Sequence, residues 1–126
     1  MSAILVFIGG GLGSLARYAL GLIFPYKEGF PFATFCANIC AAFVLGIALG
    51  WLSKEDAGSG SNIKWFLATG FCGGFSTFST FSAETVQLIK NQQWSMAGIY
   101  VILSLFLSLL ILALGFYLGG RTLSNL

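Results

Sequence analysis

Four long stretches of this chain carry almost no charge, and they constrain its fold more than any other feature. Residues Gly29–Ser53, Trp65–Ala83 and Asn91–Gly120 contain no Asp, Glu, Lys or Arg, and Met1–Tyr26 contains only Arg17. A helix of about 20 mainly apolar residues crosses the hydrocarbon of a bilayer, satisfying its own backbone polar groups where water cannot. The four stretches therefore predict four transmembrane helices, over about 3–24, 32–52, 63–89 and 94–119. Charged residues make up 8% of the 126 positions, against about 25% in soluble domains. The expectation is a single all-α transmembrane domain over residues 1–126.

Several other classes are disfavoured by what the chain lacks. A secretory leader needs a basic start, and here no Lys or Arg precedes Arg17. The cysteines, Cys36, Cys40 and Cys72, all lie in apolar runs without Cys-x-x-Cys spacing, so buried thiols are expected to act as small hydrophobes rather than metal ligands. Histidine is absent, and neither a nucleophile–base pair nor paired carboxylates can be made out, so no enzyme is expected. The net charge of +2 sits mostly in short loops and gives no reason to expect nucleic acid as a partner.

Along the chain, Gly9 and Gly13 in the first helix and Gly46-x-x-x-Gly50 in the second fit close helix–helix approach. The cluster Gly9–Ser14 superficially resembles a dinucleotide-binding loop but lacks the third glycine and the strand–helix context. Arg17 reads equally as a side chain snorkelling to the headgroups or as a cation at the mouth of an anion path. Pro25 and Pro31 bracket a short turn. Thr34 and Asn38 stand one turn apart on one face, and an amide in hydrocarbon needs a partner, either between helices or in a pore. Ser53–Asn62 has the Gly/Ser content of a flexible linker. In the fourth helix Tyr100, Ser104 and Ser108 form a polar line at intervals of four, with Leu112 at the next position.

Charge placement leaves orientation undecided. With four crossings, Lys54, Lys64 and Arg121 fall on one side of the membrane, and Lys27, Lys90 and, if it reaches that interface, Arg17 on the other. A tie under the positive-inside rule, in a chain with too few helices to enclose a pathway alone, points to an antiparallel, dual-topology homodimer.

The segment Thr69–Thr85 (TGFCGGFSTFSTFSAET) is the chemical oddity. Gly73-Gly74 would cost roughly 1 kcal/mol per glycine within a soluble helix, and the pair predicts a break that frees carbonyls in mid-membrane. Beyond it, Phe75, Phe78 and Phe81 recur every three residues, as do Ser76, Ser79 and Ser82. Each side chain alone is explained by packing or by bonding back to the preceding turn. Together they offer hydroxyl donors and ring edges of partial positive charge, with only Glu84 as an acidic group. That supply suits a small anion rather than a cation.

These motifs make the chain similar to the Fluc (CrcB-type) fluoride channels: GG-F-STFSTFS-AE at 73–84, Gly-x-x-x-Arg-Tyr at Gly13–Tyr18 and an Asn in helix 2. The resemblance covers essentially the whole chain. It implies a multi-pass protein of the cell (inner or plasma) membrane, an antiparallel homodimer with two pores, exporting fluoride passively. It places Phe78 and Phe81 as pore phenylalanines, Asn38 as the pore amide, and Ser79, Thr80, Ser82, Tyr100, Ser104 and Ser108 on polar tracks. Arg17 would lie at a vestibule and Glu84 at a pore end, and the backbone carbonyls of Gly73 and Ser76 would hold a structural sodium ion between subunits. The alternatives are a small dual-topology multidrug-type exporter, which wants an acidic residue in helix 1 that is absent here, and a structural membrane subunit.

Overall fold

A computed structural model of the protein describes residues 1–53 and 61–122. The described residues form helices and connections, with no strand among them. Helix α1 is Ser2–Ile23, α2 is Phe32–Leu52, and α5 is Trp94–Thr122. All three are long and apolar enough to cross a membrane. Between α2 and α5 the chain forms a helical stretch over 61–75 (α3) and a second helix, Phe78–Lys90 (α4). Neither piece alone reaches across about 30 Å of hydrocarbon at 1.5 Å per residue. Most of α3, Lys64–Cys72, is wound as a π-helix, a wider form found mainly at functional sites.

The break does not fall where glycine content predicts it. Gly73 keeps helical backbone (φ −64°, ψ −38°), whereas Ser76 (φ −73°, ψ 157°) and Thr77 (φ −153°, ψ 118°) are extended. Gly74 is used for packing instead, with the Gly10 carbonyl where its Cβ would stand, whereas a Cβ on Gly73 would meet nothing within 4 Å. The helix ends where Asn38 and Thr77 supply alternative partners for the backbone. The fourth predicted helix continues to Thr122. The linker expected over Ser53–Asn62 lies largely outside the described residues, as does the chain after Thr122.

Two glycine seams organise the packing. On α1, a Cβ at Gly9 would meet the Phe66 carbonyl oxygen at 2.2 Å, and one at Gly13 the Phe71 oxygen at 2.2 Å. On α2, a Cβ at Gly46 or Gly50 would collide with the Leu112 or Phe116 oxygen, and one at Gly115 or Gly119 of α5 with the Phe43 or Ile47 oxygen in return. Lipid tails are as apolar as leucine, so burying leucine gains little here, and backbone contact supplies the dispersion energy that holds helices together. The seams join α1 to α3 and α2 to α5. Two small cores complete the fold. Ala37, Ala41 and Phe75 pack at the α2–α3 crossing. Phe81, Leu88, Ala97 and Tyr100 pack between α4 and α5, with Phe30 and Phe35 against them.

Local caps set the remaining ends. The Thr77 hydroxyl accepts from the Thr80 N–H at 3.1 Å, which makes Thr77 the N-cap of α4. At the other end of α4, Gln92 takes a left-handed conformation (φ 59°). Its amide donates to Ile89 and that of Gln93 donates to Leu88, both at 2.9 Å, the pairing of a Schellman cap.

Candidate functional site

The break leaves several carbonyls of α3 without the amide that would normally serve them, and two neighbouring helices provide substitutes. From α2, the Asn38 Oδ1 accepts from the Thr77 N–H at 2.7 Å, and the Asn38 Nδ2 donates to the Thr77 carbonyl at 3.3 Å. From α1, the Ser14 hydroxyl donates to the Gly74 carbonyl at 3.5 Å, and the Arg17 guanidinium to the Ser76 carbonyl at 3.4 Å. Arg17 thus reaches the break itself. The Thr77 amide, engaged by Asn38, no longer serves the Gly73 carbonyl. Unpaired backbone groups at this depth each cost several kcal/mol, which is why an irregular turn can exist only within such a frame.

Beside the break lies a groove of about 340 Å³. Its walls come from Asn38, Ala41, Ala42 and Leu45 of α2, from Ala68, Cys72, Gly73 and Ser76 of α3, and from Ser104, Leu105, Ser108 and Leu112 of α5. Thr77, Phe78 and Phe81 close it at the break. Among the described residues no ionised side chain lines it. The two rings stand 5.7 Å apart, tilted by 38°. They differ in setting: Phe81 is 7% exposed, whereas Phe78 is 75% exposed on this single chain. Ser104 is buried and its hydroxyl has no hydrogen-bond partner, although buried hydroxyls are nearly always paired.

Next to the Phe81 ring, Tyr100 is fully buried with its ring 5.0 Å away. Its hydroxyl donates to Glu84 Oε2 at 2.7 Å, while Thr34 donates to Glu84 Oε1 at 2.8 Å. The carboxylate is therefore held by three helices, α2, α4 and α5.

The structure gathers Asn38, Phe78, Phe81, Ser104 and Ser108 along one groove, with Gly73 and Ser76 in the same wall. Tyr100 and Glu84 adjoin it through Phe81. Ser79 and Thr80 surround the N-cap, where the Thr77 hydroxyl donates to Thr80 Oγ1 at 3.0 Å and lies 3.3 Å from Ser79 Oγ. Both are exposed. The Ser82 hydroxyl donates to the Phe78 carbonyl at 2.8 Å within its own helix, and Ser76 does likewise to Cys72 at 2.8 Å. Sequence reading set Thr77 with Thr80 in a hydroxyl stripe but missed its capping role, although a threonine ahead of a helical run is an N-cap signal. It grouped Thr34 with Asn38 but did not connect Thr34 to Glu84, because that contact joins residues 50 apart.

Known proteins resemble the chain along most of its length. The family model described as "CrcB-like protein, Camphor Resistance (CrcB)" matches residues 4–116. A fluoride-specific ion channel FluC of Flavobacterium psychrophilum is 43% identical over 107 residues, covering 83% of this chain and 86% of that protein. The FluC of Pyrococcus abyssi is 42% identical over 120 residues (95% and 97% of the two chains), and that of Escherichia coli K12 is 42% identical over 125 (95% and 94%). The matched range takes in the break, the groove and all but the two ends of the helical bundle, and the chain belongs to the CrcB-like family.

Proposed function

We propose that this protein is a fluoride channel of the cell membrane, exporting the ion passively along the groove beside the helix break. The observation that carries this reading is one surface holding Phe78, Phe81 and the buried hydroxyl of Ser104, which has no partner among the described residues, with no ionised side chain among the described residues that line it. An anion leaving water needs donors, and a fixed positive charge would trap it. Hydroxyls and the positive edges of aromatic rings stabilise it weakly enough for it to move on. Ser108 continues the donors along α5, Arg17 stands at the break through its bond to the Ser76 carbonyl, and Glu84 adjoins the path through Tyr100 beside Phe81. The FluC relatives support fluoride as the ion.

A groove of about 340 Å³ has room for about ten waters at about 30 Å³ each, too loose to select a single-atom ion. A second copy in antiparallel orientation would narrow it, covering the exposed Phe78 and making two such paths. The near-even division of the remaining cations, Lys54, Lys64 and Arg121 against Lys27 and Lys90, supports that assembly. A structural sodium ion would fit between the copies: hard cations take oxygen ligands, and the Gly73 carbonyl has lost its helical donor. The Ser76 carbonyl, which accepts from Arg17, has a second lone pair to offer. Bound there, the ion would neutralise carbonyl charge at the crossing of the two breaks.

Transport needs no coupling. A potential of 100 mV, inside negative, contributes about 2.3 kcal/mol per charge, or roughly a 50-fold outward gradient at tenfold per 1.36 kcal/mol. The test is fluoride efflux from liposomes holding the purified protein. Rapid release of fluoride with chloride retained is expected. Liposomes that keep their fluoride like protein-free ones would remove the channel reading.

A further inference from the structure

Phe30 lies in the connection between α1 and α2, outside every motif discussed above, yet its backbone is held tightly. Its carbonyl accepts from the Phe32 N–H at 2.9 Å across Pro31, which has φ −77° and ψ 76°. This is an inverse γ-turn, and the pyrrolidine ring fixes its φ. Pro31 is less than 2% exposed and its own carbonyl accepts from Phe35 at 3.1 Å. The connection therefore enters α2 in one conformation.

The Phe30 ring packs against Phe32 at 4.9 Å and Phe35 at 5.1 Å, and from that cluster it meets Tyr100. The two stand 5.3 Å apart and 81° to one another, edge to face. Tyr100 is thereby confined between Phe30 on one side and Phe81, 5.0 Å away, on the other. A tyrosine has two side-chain torsions, and the paired rings restrict both. What they hold in place is the hydroxyl, 2.7 Å from Glu84.

We propose that Phe30, set by Pro31, is a positioning residue for the anion path that acts through Tyr100, keeping its hydroxyl on Glu84. This deepens the channel reading and rests on it. Without the Phe30 face, Tyr100 gains room to tilt and Glu84 loses a fixed donor beside Phe81. Misplacement of a functional group by about 1 Å costs as much as 100-fold in rate elsewhere, and an edge-to-face pair corresponds to an effect of up to about tenfold.

The test is a double-mutant cycle on fluoride efflux from liposomes, using wild type, Phe30→Ala, Tyr100→Phe and the double variant, each checked for correct assembly by gel filtration. Each single change is expected to slow efflux, and the double variant to be no slower than Tyr100→Phe. Phe30→Tyr is expected to keep wild-type efflux, since it retains the ring. Multiplying effects in the double variant, or unchanged efflux in either single variant, would overturn the proposal while leaving a conducting wild type intact. If Phe30→Ala fails to assemble, Phe30→Leu takes its place in the cycle with the same two outcomes. A wild type that does not conduct sinks the channel reading, and this inference with it.

Discussion

Asn38 bonds both backbone groups of Thr77, accepting from its N–H at 2.7 Å and donating to its carbonyl at 3.3 Å. The side chain does for the extended residue what a neighbouring strand would do. Asn38→Ala leaves both groups unpaired, and a buried orphan costs about 1–3 kcal/mol. Loss of thermal stability in detergent is expected together with loss of fluoride efflux. Asn38→Asp retains an acceptor for the N–H but faces the carbonyl with another oxygen, so it should also be inactive.

Ser104 makes the opposite prediction. Its hydroxyl has no hydrogen-bond partner among the described residues, so Ser104→Ala removes no hydrogen bond seen in the fold. The melting temperature should hold or rise slightly, while fluoride efflux falls severalfold. A parallel fall in both would show the hydroxyl to be structural.

The glycine seams separate by position. A Cβ on Gly13 would stand 2.2 Å from the Phe71 oxygen, whereas one on Gly98 meets nothing within 4 Å. Gly13→Ala forces two helices apart and should destabilise by about 1–3 kcal/mol, the usual range for overpacking. Gly98→Ala should stabilise by up to about 1 kcal/mol through helix propensity alone. Thermal melts of the two variants provide the comparison.

Gln92 occupies the left-handed position of the cap after α4, where a side chain costs roughly 1–2 kcal/mol. Gln92→Gly should raise the melting temperature without changing efflux, because glycine adopts that conformation freely.

The charge-free runs made the membrane helices legible, and small-residue spacing identified the α1 and α2 faces that pack closely. The answering glycines of α5, Gly115 and Gly119, were not recognised as half of a seam, since their partner is known only once α2 lies beside them. Locating the break at Gly73-Gly74 treated glycine as a breaker. Gly74 instead has Gly10 against it, and in a bilayer close approach is worth more than propensity. The break was set by an amide 39 residues away, which no local pattern encodes. The anchoring of Glu84 is similarly non-local. The hydroxyl pattern at 76–82 indicated that the segment was chemically special, but one stripe divides in the fold: Ser79 faces the cap, while Ser76 and Ser82 return to their own backbones.

The two seams also say how this chain can vary. Where helix meets helix through main-chain atoms, the contact reads the absence of a side chain and nothing else. Positions such as Phe7, Leu15 and Leu22 on the outside of α1, all more than 60% exposed, then meet no rule except lipid solubility or whatever covers them. The membrane-embedded chain thus divides into residues answerable to a neighbour's backbone and residues answerable only to their solvent. Drift among the second kind can proceed while the distance between helices, and with it the width of the groove, stays fixed.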